Sequence, residues 1–348
     1  MKMCSIYTHY SIVSLIVHTC CRILFENIEF SKGKEVKKPK RTPISLVVYN
    51  HKGGVGKTTI AGWLAYLLAT GGINKLGKKL SVVLIDLDSQ QNASKTFLNM
   101  VQKTGLPYLL PPLHPDYVEG ALENGNWNGY STSSDILFNR NFVYYPVAGV
   151  ETLKVLPSEG RVDRLNEVMH NDGYIPLIGE LAQSFLEIES EMDEVDIVIF
   201  DTPPSKTAIC EGFLSQCSHV LVPTQLEYDS VESVPQLMEN IRLYNEERTD
   251  PIELVGVIPN LASSISLTNN EVEQYMALEG YVENYKLANN IKDELLLEDF
   301  FLVNRTIFKP RRKPDDLDTV FCLKKDKKAT AEMTKLYDFV CKRLGVAA

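Results

Sequence analysis

Ile44-Ser-Leu-Val-Val-Tyr-Asn-His51-Lys52-Gly53-Gly54-Val55-Gly56-Lys57-Thr58-Thr59 is the stretch whose reading decides the fold. Its first six residues, Ile44–Tyr49, are a continuous apolar run rich in β-branched side chains. A strand covered on both faces reads this way, because parallel sheets carry helices above and below. Glycines at 53, 54 and 56 interrupt the run. From Thr58 to Ala69, Ile60, Leu64, Leu67 and Leu68 recur at helical spacing, and Gly71 and Gly72 supply the C-cap. Leu80–Ile85 (LSVVLI) is a second buried strand. Strand, turn, helix and strand make a βαβ unit with a right-handed crossover.

Working outward, short strands are expected at Val143–Tyr145 and Leu153–Leu156. Apolar runs at Asp196–Phe200 (DIVIF), His219–Val222 (HVLV) and Leu254–Ile258 (LVGVI) continue the sheet, and Phe300–Phe308 carries a further strand. Helical stretches fall at Ile178–Glu194, Val231–Tyr244, Asn269–Leu297 and Ala329–Leu344. Alternation of this kind predicts an α/β fold, a mostly parallel twisted sheet with helices on both faces. Residues 105–135, rich in Pro, Gly, Asn and Tyr, read as an inserted loop region. Lys32–Arg41 (KGKEVKKPKR) holds six basic residues and one acidic and reads as a solvated linker. Residues 1–43 are thus an extension ahead of a single domain at 44–348.

Composition bounds the function. A net charge of −9 over 348 residues excludes a uniformly basic nucleic-acid coat. The charged fraction of 23% is ordinary and argues against wholesale disorder. Seven cysteines occur without a C-x-x-C pair, which fits free thiols in a reducing cytosol. The apolar pieces Ile12–Val17 and Ile23–Phe25 are too short and broken to span a bilayer, and no small-x-small cleavage signal follows them.

The chemistry starts at Lys52–Thr59. A glycine-rich turn after a buried strand and before a helix is the context of a P-loop. Its backbone N–H groups turn inward on phosphate oxygens, backed by the positive end of the helix. The segment Lys52, Gly53, Gly54, Val55, Gly56, Lys57, Thr58 and Thr59 is the expected ATP cradle. Lys57 is assigned to the β- and γ-phosphates and the Thr58 hydroxyl to Mg²⁺. The general pattern G-x-x-x-x-G-K-T requires glycine at position 51, where this sequence has His51, followed by an added lysine, Lys52. Here the chain resembles the ParA/MinD family, whose deviant P-loop reads KGGVGKT(T/S). The resemblance implies that Lys52 acts in trans, on the nucleotide of a second subunit.

Two acidic motifs follow. Asp86-Leu-Asp88-Ser-Gln-Gln-Asn closes the second strand. Against the family's D-x-D-P-Q, Asp86 is implied in the Mg²⁺ shell and Asp88 in holding the attacking water, with Ser89 in place of proline. Asp201-Thr-Pro-Pro-Ser205 ends the DIVIF strand. It resembles the family's second switch, and Asp201 is the implied Walker B acid toward Mg²⁺. Val220–Glu227 (VLVPTQLE) resembles the strand and turn before the base pocket. Asn260 lies where relatives hold an adenine-facing asparagine, and it equally suits a turn cap. The resemblance spans roughly 44–345 and is poor across 100–180.

Residues 305–328 carry nine basic against four acidic side chains, a local charge of +5. Arg305, Lys309, Arg311, Arg312, Lys313, Lys324 and Lys325 are the expected contacts to DNA phosphates, without sequence reading. In the terminal helix Met333, Leu336, Tyr337, Val340 and Leu344 form an apolar face. A MinD-like chain would lay such a face on a membrane, whereas terminal helices usually pack it on the sheet, which is the expectation here. The nitrogenase iron protein shares the P-loop but needs cluster-bridging cysteines, and residues 22–209 contain none. The resemblance thus implies a slow Mg²⁺-dependent ATPase that closes as an ATP-sandwich homodimer. It implies binding to non-specific DNA, stimulation by a ParB-like adaptor, and a cytoplasmic, nucleoid-associated location. The cargo would be a plasmid, a chromosome or a protein compartment such as a carboxysome. The alternative is a MinD-like membrane-cycling ATPase that regulates division-site placement.

Overall fold

A computed structural model describes residues 42–297 and 327–346, apart from 122–124, 126, 139, 161, 163–171, 193 and 263–265. In chain order the elements are β1 (Ile44–Val48), α1 (Lys57–Thr70), β2 (Val82–Asp86), α2 (Asn92–Phe97), β3 (Val101–Gln102), β4 (Leu109–Leu110), α3 (Ser133–Leu137), β5 (Tyr145–Val147) and β6 (Val150–Leu156). They continue with α4 (Ile175–Met192), β7 (Ile197–Asp201), α5 (Ala208–Gln216), β8 (His219–Gln225), α6 (Tyr228–Glu246), β9 (Glu253–Asn260), α7 (Asn269–Ala288) and α8 (Lys327–Arg343).

Among the described residues seven strands form one sheet in the order β5-β6-β2-β7-β1-β8-β9. All its pairings are parallel except β5 with β6. Side chains alternate across each strand and feed two cores. Leu46, Val48, Val82, Leu84, Ile197 and Ile199 face the layer that holds α1 and α8. Val47, Tyr49, Val83, Ile85, Val198 and Phe200 face the layer that holds α4 to α7. Helix α1 is buried almost all round, which explains its lack of a polar face. It ends at Gly71, whose φ of 76° lets its N–H reach the Leu67 carbonyl.

The chain crosses the sheet in both directions from β1. It runs outward through β2, returns to insert β7 between β2 and β1, and then places β8 and β9 on the far side. Such a reversal opens a crevice at the carboxyl ends of the strands.

Several expectations shift. The helix read as Asn269–Leu297 stops at Ala288, where Asn290 takes a left-handed φ of 55°. Leu295–Leu297 then runs alongside β9, with the Val257 N–H donating to the Leu295 carbonyl and the Leu297 N–H to the Val257 carbonyl. Apolar spacing alone did not separate that segment from the helix before it. The edge strand read as 143–145 sits at Tyr145–Val147. The region read as an inserted loop, 105–135, holds β4, which pairs antiparallel with β3 just ahead of it, and the start of α3, which opens with a Thr132/Asp135 capping box. The strand expected at 300–308, the seven proposed DNA contacts and most of the extension 1–43 lie outside the described residues.

The apolar face of α8 is inside the core: Met333, Leu336, Tyr337, Val340 and Leu344 are all buried beside α1. Arg343 fastens its end, donating to the Leu254 and Val255 carbonyls and pairing with Asp293 at 2.8 Å. No helix among the described residues is long and apolar enough to cross a membrane. Gly256 makes the docking of α8 possible. A Cβ there would stand 2.6 Å from the Phe339 ring and 2.8 Å from the Leu295 carbonyl oxygen. Gly256→Ala is therefore expected to lower unfolding stability by about 1–3 kcal/mol, read by urea denaturation.

Candidate functional site

The glycine-rich loop leaves β1 at the centre of the sheet. Gly54 and Gly56 adopt φ of 80° and 92°, a region that side chains disfavour. A Cβ on Gly56 would also lie 2.2 Å from the Asn260 amide nitrogen. Gly53 is pressed by Pro204 of the D-T-P-P-S segment, 3.2 Å from where its Cβ would be. The same segment is tied to the loop's strand by Thr202, whose hydroxyl donates to the Val48 carbonyl. The two motifs that the sequence separates by some 150 residues are thus one packed unit.

The two lysines of the loop differ sharply. Lys57 is buried, its ammonium donating to the Asn50 and Lys52 carbonyls at 3.0 and 2.7 Å. Burial lowers its pKa, opposed by the nearby Asp201, Cys210 and Asp88. Lys52 turns the other way. Its ammonium reaches Asp229, at the start of α6, at 2.7 Å, and its side chain is 43% exposed. Asn50 stabilises the turn between them, donating to the Pro223 carbonyl and accepting from the Lys52 N–H and the Ser233 hydroxyl. An asparagine between a strand and a glycine turn is a sequence signal for this role.

His51, where the general motif has glycine, lies edge-on to Tyr49, and its Nδ1 is 3.2 Å from the Tyr49 hydroxyl. That hydroxyl gives its single proton to Glu211 at 2.6 Å, so Nδ1 must be the donor to it. Nε2 is then an acceptor, buried and without a partner. Glu211 also accepts from Tyr244, so the residue after β1, α5 and α6 meet on one carboxylate.

Parallel register sets the acids side by side. Asp86 ends β2 opposite Asp201, which ends β7, and Val48 of β1 is Asp201's neighbour on its other side. The two carboxylates are both fully buried but differently served. Asp86 accepts from the Ser94 N–H and hydroxyl on one oxygen and from the Asp88 N–H on the other. Asp88 accepts from the Gln90 N–H. Both Asp201 oxygens are buried without a hydrogen bond of good geometry; the Thr58 hydroxyl is near enough only to favour the charged form. Burial pushes Asp86 up to about 6 despite the Ser94 bonds. Burial, then the Asp86 charge, holds Asp201 well above the carboxylate range.

An orphaned buried carboxylate beside a second one is a site in need of a cation. Asp201, with Thr58 and Asp86 near it, fits a divalent ion of the Mg²⁺ kind. Among the described residues no three His, Cys, Asp or Glu side chains form a cage. Mg²⁺ takes one or two carboxylates and completes its shell with phosphate and water. Asn260 is buried, donating to the Val55 carbonyl and accepting from the Leu261 N–H. The side chain that resemblance placed at the base is, in this geometry, a brace under the phosphate loop. Cys210 and Cys217 are buried with their thiols pushed up to about 12, a state suited to packing and not to cluster ligation.

A family model described as AAA domain matches residues 44–254, more than half of the chain. The chromosome-partitioning ATPase Soj of Thermus thermophilus is 26% identical over 66% of this chain and 73% of its own length. The chain belongs to this family and is a ParA/MinD-type ATPase. Solved structures show the same fold. The ATP complex of Cyanothece McdA superposes with a TM-score of 0.61 at 18% identity, over 88% of this chain and 97% of McdA. The pNOB8 ParA structure bound to nonspecific DNA gives 0.54 at 17% identity, over 87% and 99%. Membership makes this ATPase a nucleotide-binding P-loop protein, with the glycine-rich loop at the edge described above.

The raised carboxylate of Asp86 has a testable sign. Between its unfolded value near 4 and about 6 the folded ATPase holds more protons than the unfolded chain, so stability falls as pH rises through that window. Asp86→Asn should flatten this slope in thermal melts from pH 4 to 7. A slope equal to wild type would show that Asp86 is not the buried acid responsible.

Proposed function

We propose that this ATPase is a partition-type positioning switch. In this reading it binds ATP and Mg²⁺ at Gly53–Thr59, closes face to face with a second copy, and in that state holds DNA without reading its sequence. Hydrolysis reopens the pair. The observation that carries the reading is the division of labour between the lysines. Lys57 is buried in its own loop, in reach of a phosphate bound there, while Lys52 stands at the surface on Asp229. An exposed pair of this kind is worth under about 1 kcal/mol, so the ammonium is readily exchanged for a phosphate offered by a partner subunit.

The residues divide as follows. Gly53, Gly54, Val55, Gly56 and Thr59 give the backbone cradle, and Lys57 meets the β- and γ-phosphates. Thr58 and Asp201 hold Mg²⁺, with Asp86 beside them ordering the loop, and Asp88 holds the attacking water. Mg²⁺, when bound, neutralises charge on the β- and γ-oxygens. Turnover is slow without help, because a cationic group from an adaptor completes the site. The adaptor is ParB-like in role and carries a basic segment. The DNA contacts are Arg305, Lys309, Arg311, Arg312, Lys313, Lys324 and Lys325, and the location is cytoplasmic and nucleoid-associated. The role printed for Soj, a chromosome-partitioning ATPase, supports a cargo-positioning role. A membrane-cycling role is disfavoured, because the face that would enter the lipid is packed against α1.

Three measurements test this. Lys52→Ala should abolish ATP-driven dimerisation in light scattering while nucleotide affinity stays within about twofold. Unchanged dimerisation would remove the trans-lysine argument. Asp229→Ala should lower the ATP concentration needed to dimerise, since it deletes the competing partner. In the ATP-bound state the protein should bind random duplex DNA, weakening steeply with salt, and not anionic vesicles. Vesicle binding without DNA binding would overturn the reading.

A further inference from the structure

Gln91 sits in the loop between Asp88 and α2 with φ 57° and ψ 31°. A non-glycine residue there carries strain of about 1–2 kcal/mol, which persists only where surrounding bonds hold it. Gln91 is buried, and its amide is fully used. Nε2 donates to the Leu109 carbonyl at 2.8 Å and the Ser158 carbonyl at 2.9 Å. Oε1 accepts from the Leu109 N–H at 3.2 Å. Its backbone N–H closes a turn on the Asp88 carbonyl, and its own carbonyl accepts from Lys95 to start α2.

Leu109 belongs to the β3–β4 hairpin, inside the span 100–180 where the motif resemblance is poor. From Ser158 the bonds continue inward. The Ser158 N–H donates to the Ser94 hydroxyl, and that hydroxyl donates to Asp86. An unbroken chain therefore runs from hairpin to buried acid: Leu109, Gln91, Ser158, Ser94, Asp86. Asp88 hangs on the same loop, three residues from the clamp.

We propose that Gln91 is a positioning residue for hydrolysis, through which the β3–β4 hairpin sets the loop that carries Asp86 and Asp88. Its side chain is committed to Leu109 and Ser158, so its role is to fix where Asp88 stands. A shift of this loop of the order of 1 Å is enough to cost a large factor in turnover. Nucleotide affinity, which the P-loop supplies, is left alone. The inference rests on the ATPase reading above.

Gln91→Gly is the informative variant. Glycine adopts the left-handed conformation without strain, so the loop folds while the clamp is lost. ATP turnover at saturation should fall at least about tenfold, with ATP affinity within about twofold of wild type. Gln91→Glu sets a carboxylate against the Leu109 and Ser158 carbonyls and should lower turnover as much, although the side chain keeps its length. The second readout is amide exchange. In the wild type, a non-hydrolysable ATP analogue should slow exchange in both α2 and β4. In Gln91→Gly the response should persist in α2 and vanish in β4. Wild-type turnover in Gln91→Gly, or an equal response of β4, overturns the assignment of Gln91. A wild-type chain that binds no nucleotide would instead overturn the ATPase reading, and this one with it.

Discussion

Everything at the site depends on the parallel register of β1, β7 and β2. It brings Val48, Asp201 and Asp86 to one line at the carboxyl edge of the sheet. Two carboxylates are thereby placed next to each other in a layer closed by apolar helices. Alone, that arrangement is unfavourable, since burial and mutual repulsion both disfavour the charged forms. The fold carries it because the surrounding sheet is packed on both faces and cannot relax to release the acids. A cation beside the two carboxylates removes the penalty, so this edge favours a ligand that brings one.

The two lysines show how the same backbone serves two purposes. Four residues separate them, yet one lies inside the loop and the other outside it. The turn at Asn50 is what divides them. It directs the Lys52 side chain toward α6 and brings the carbonyls of 50 and 52 over Lys57. A phosphate cradle of this form has one cation committed to its own ligand and one left at the surface. That is the physical content of the added lysine, and it is why the second subunit enters the proposed cycle.

The weakly matching region between 100 and 180 is hydrogen-bonded to the loop that carries the acids. Its hairpin is not part of the sheet, yet Gln91 joins it to the acidic loop, and Ser158 and Ser94 carry the connection to Asp86. Under the role proposed for Gln91, variation in such an insertion retunes turnover without touching the nucleotide.

The sequence by itself determined the βαβ core, the P-loop and the two acidic strand ends, because each is local. A buried strand is a run of apolar residues, and a phosphate loop is glycines between a strand and a helix. Tertiary structure alone decided the rest. The end of α7 at Ala288 was hidden because Leu295–Leu297 is as apolar as a helix face, and only its pairing to β9 sets it apart. The burial of the α8 face required α1 to pack against it and Gly256 to leave room for Phe339. Asn260 became a brace under the loop because β9 ends beside Gly56. The roles of Gln91, Ser94, Asn50 and Asp229 arise from partners far away in the chain or across a turn, and hydrogen bonds of that kind leave no periodicity to read.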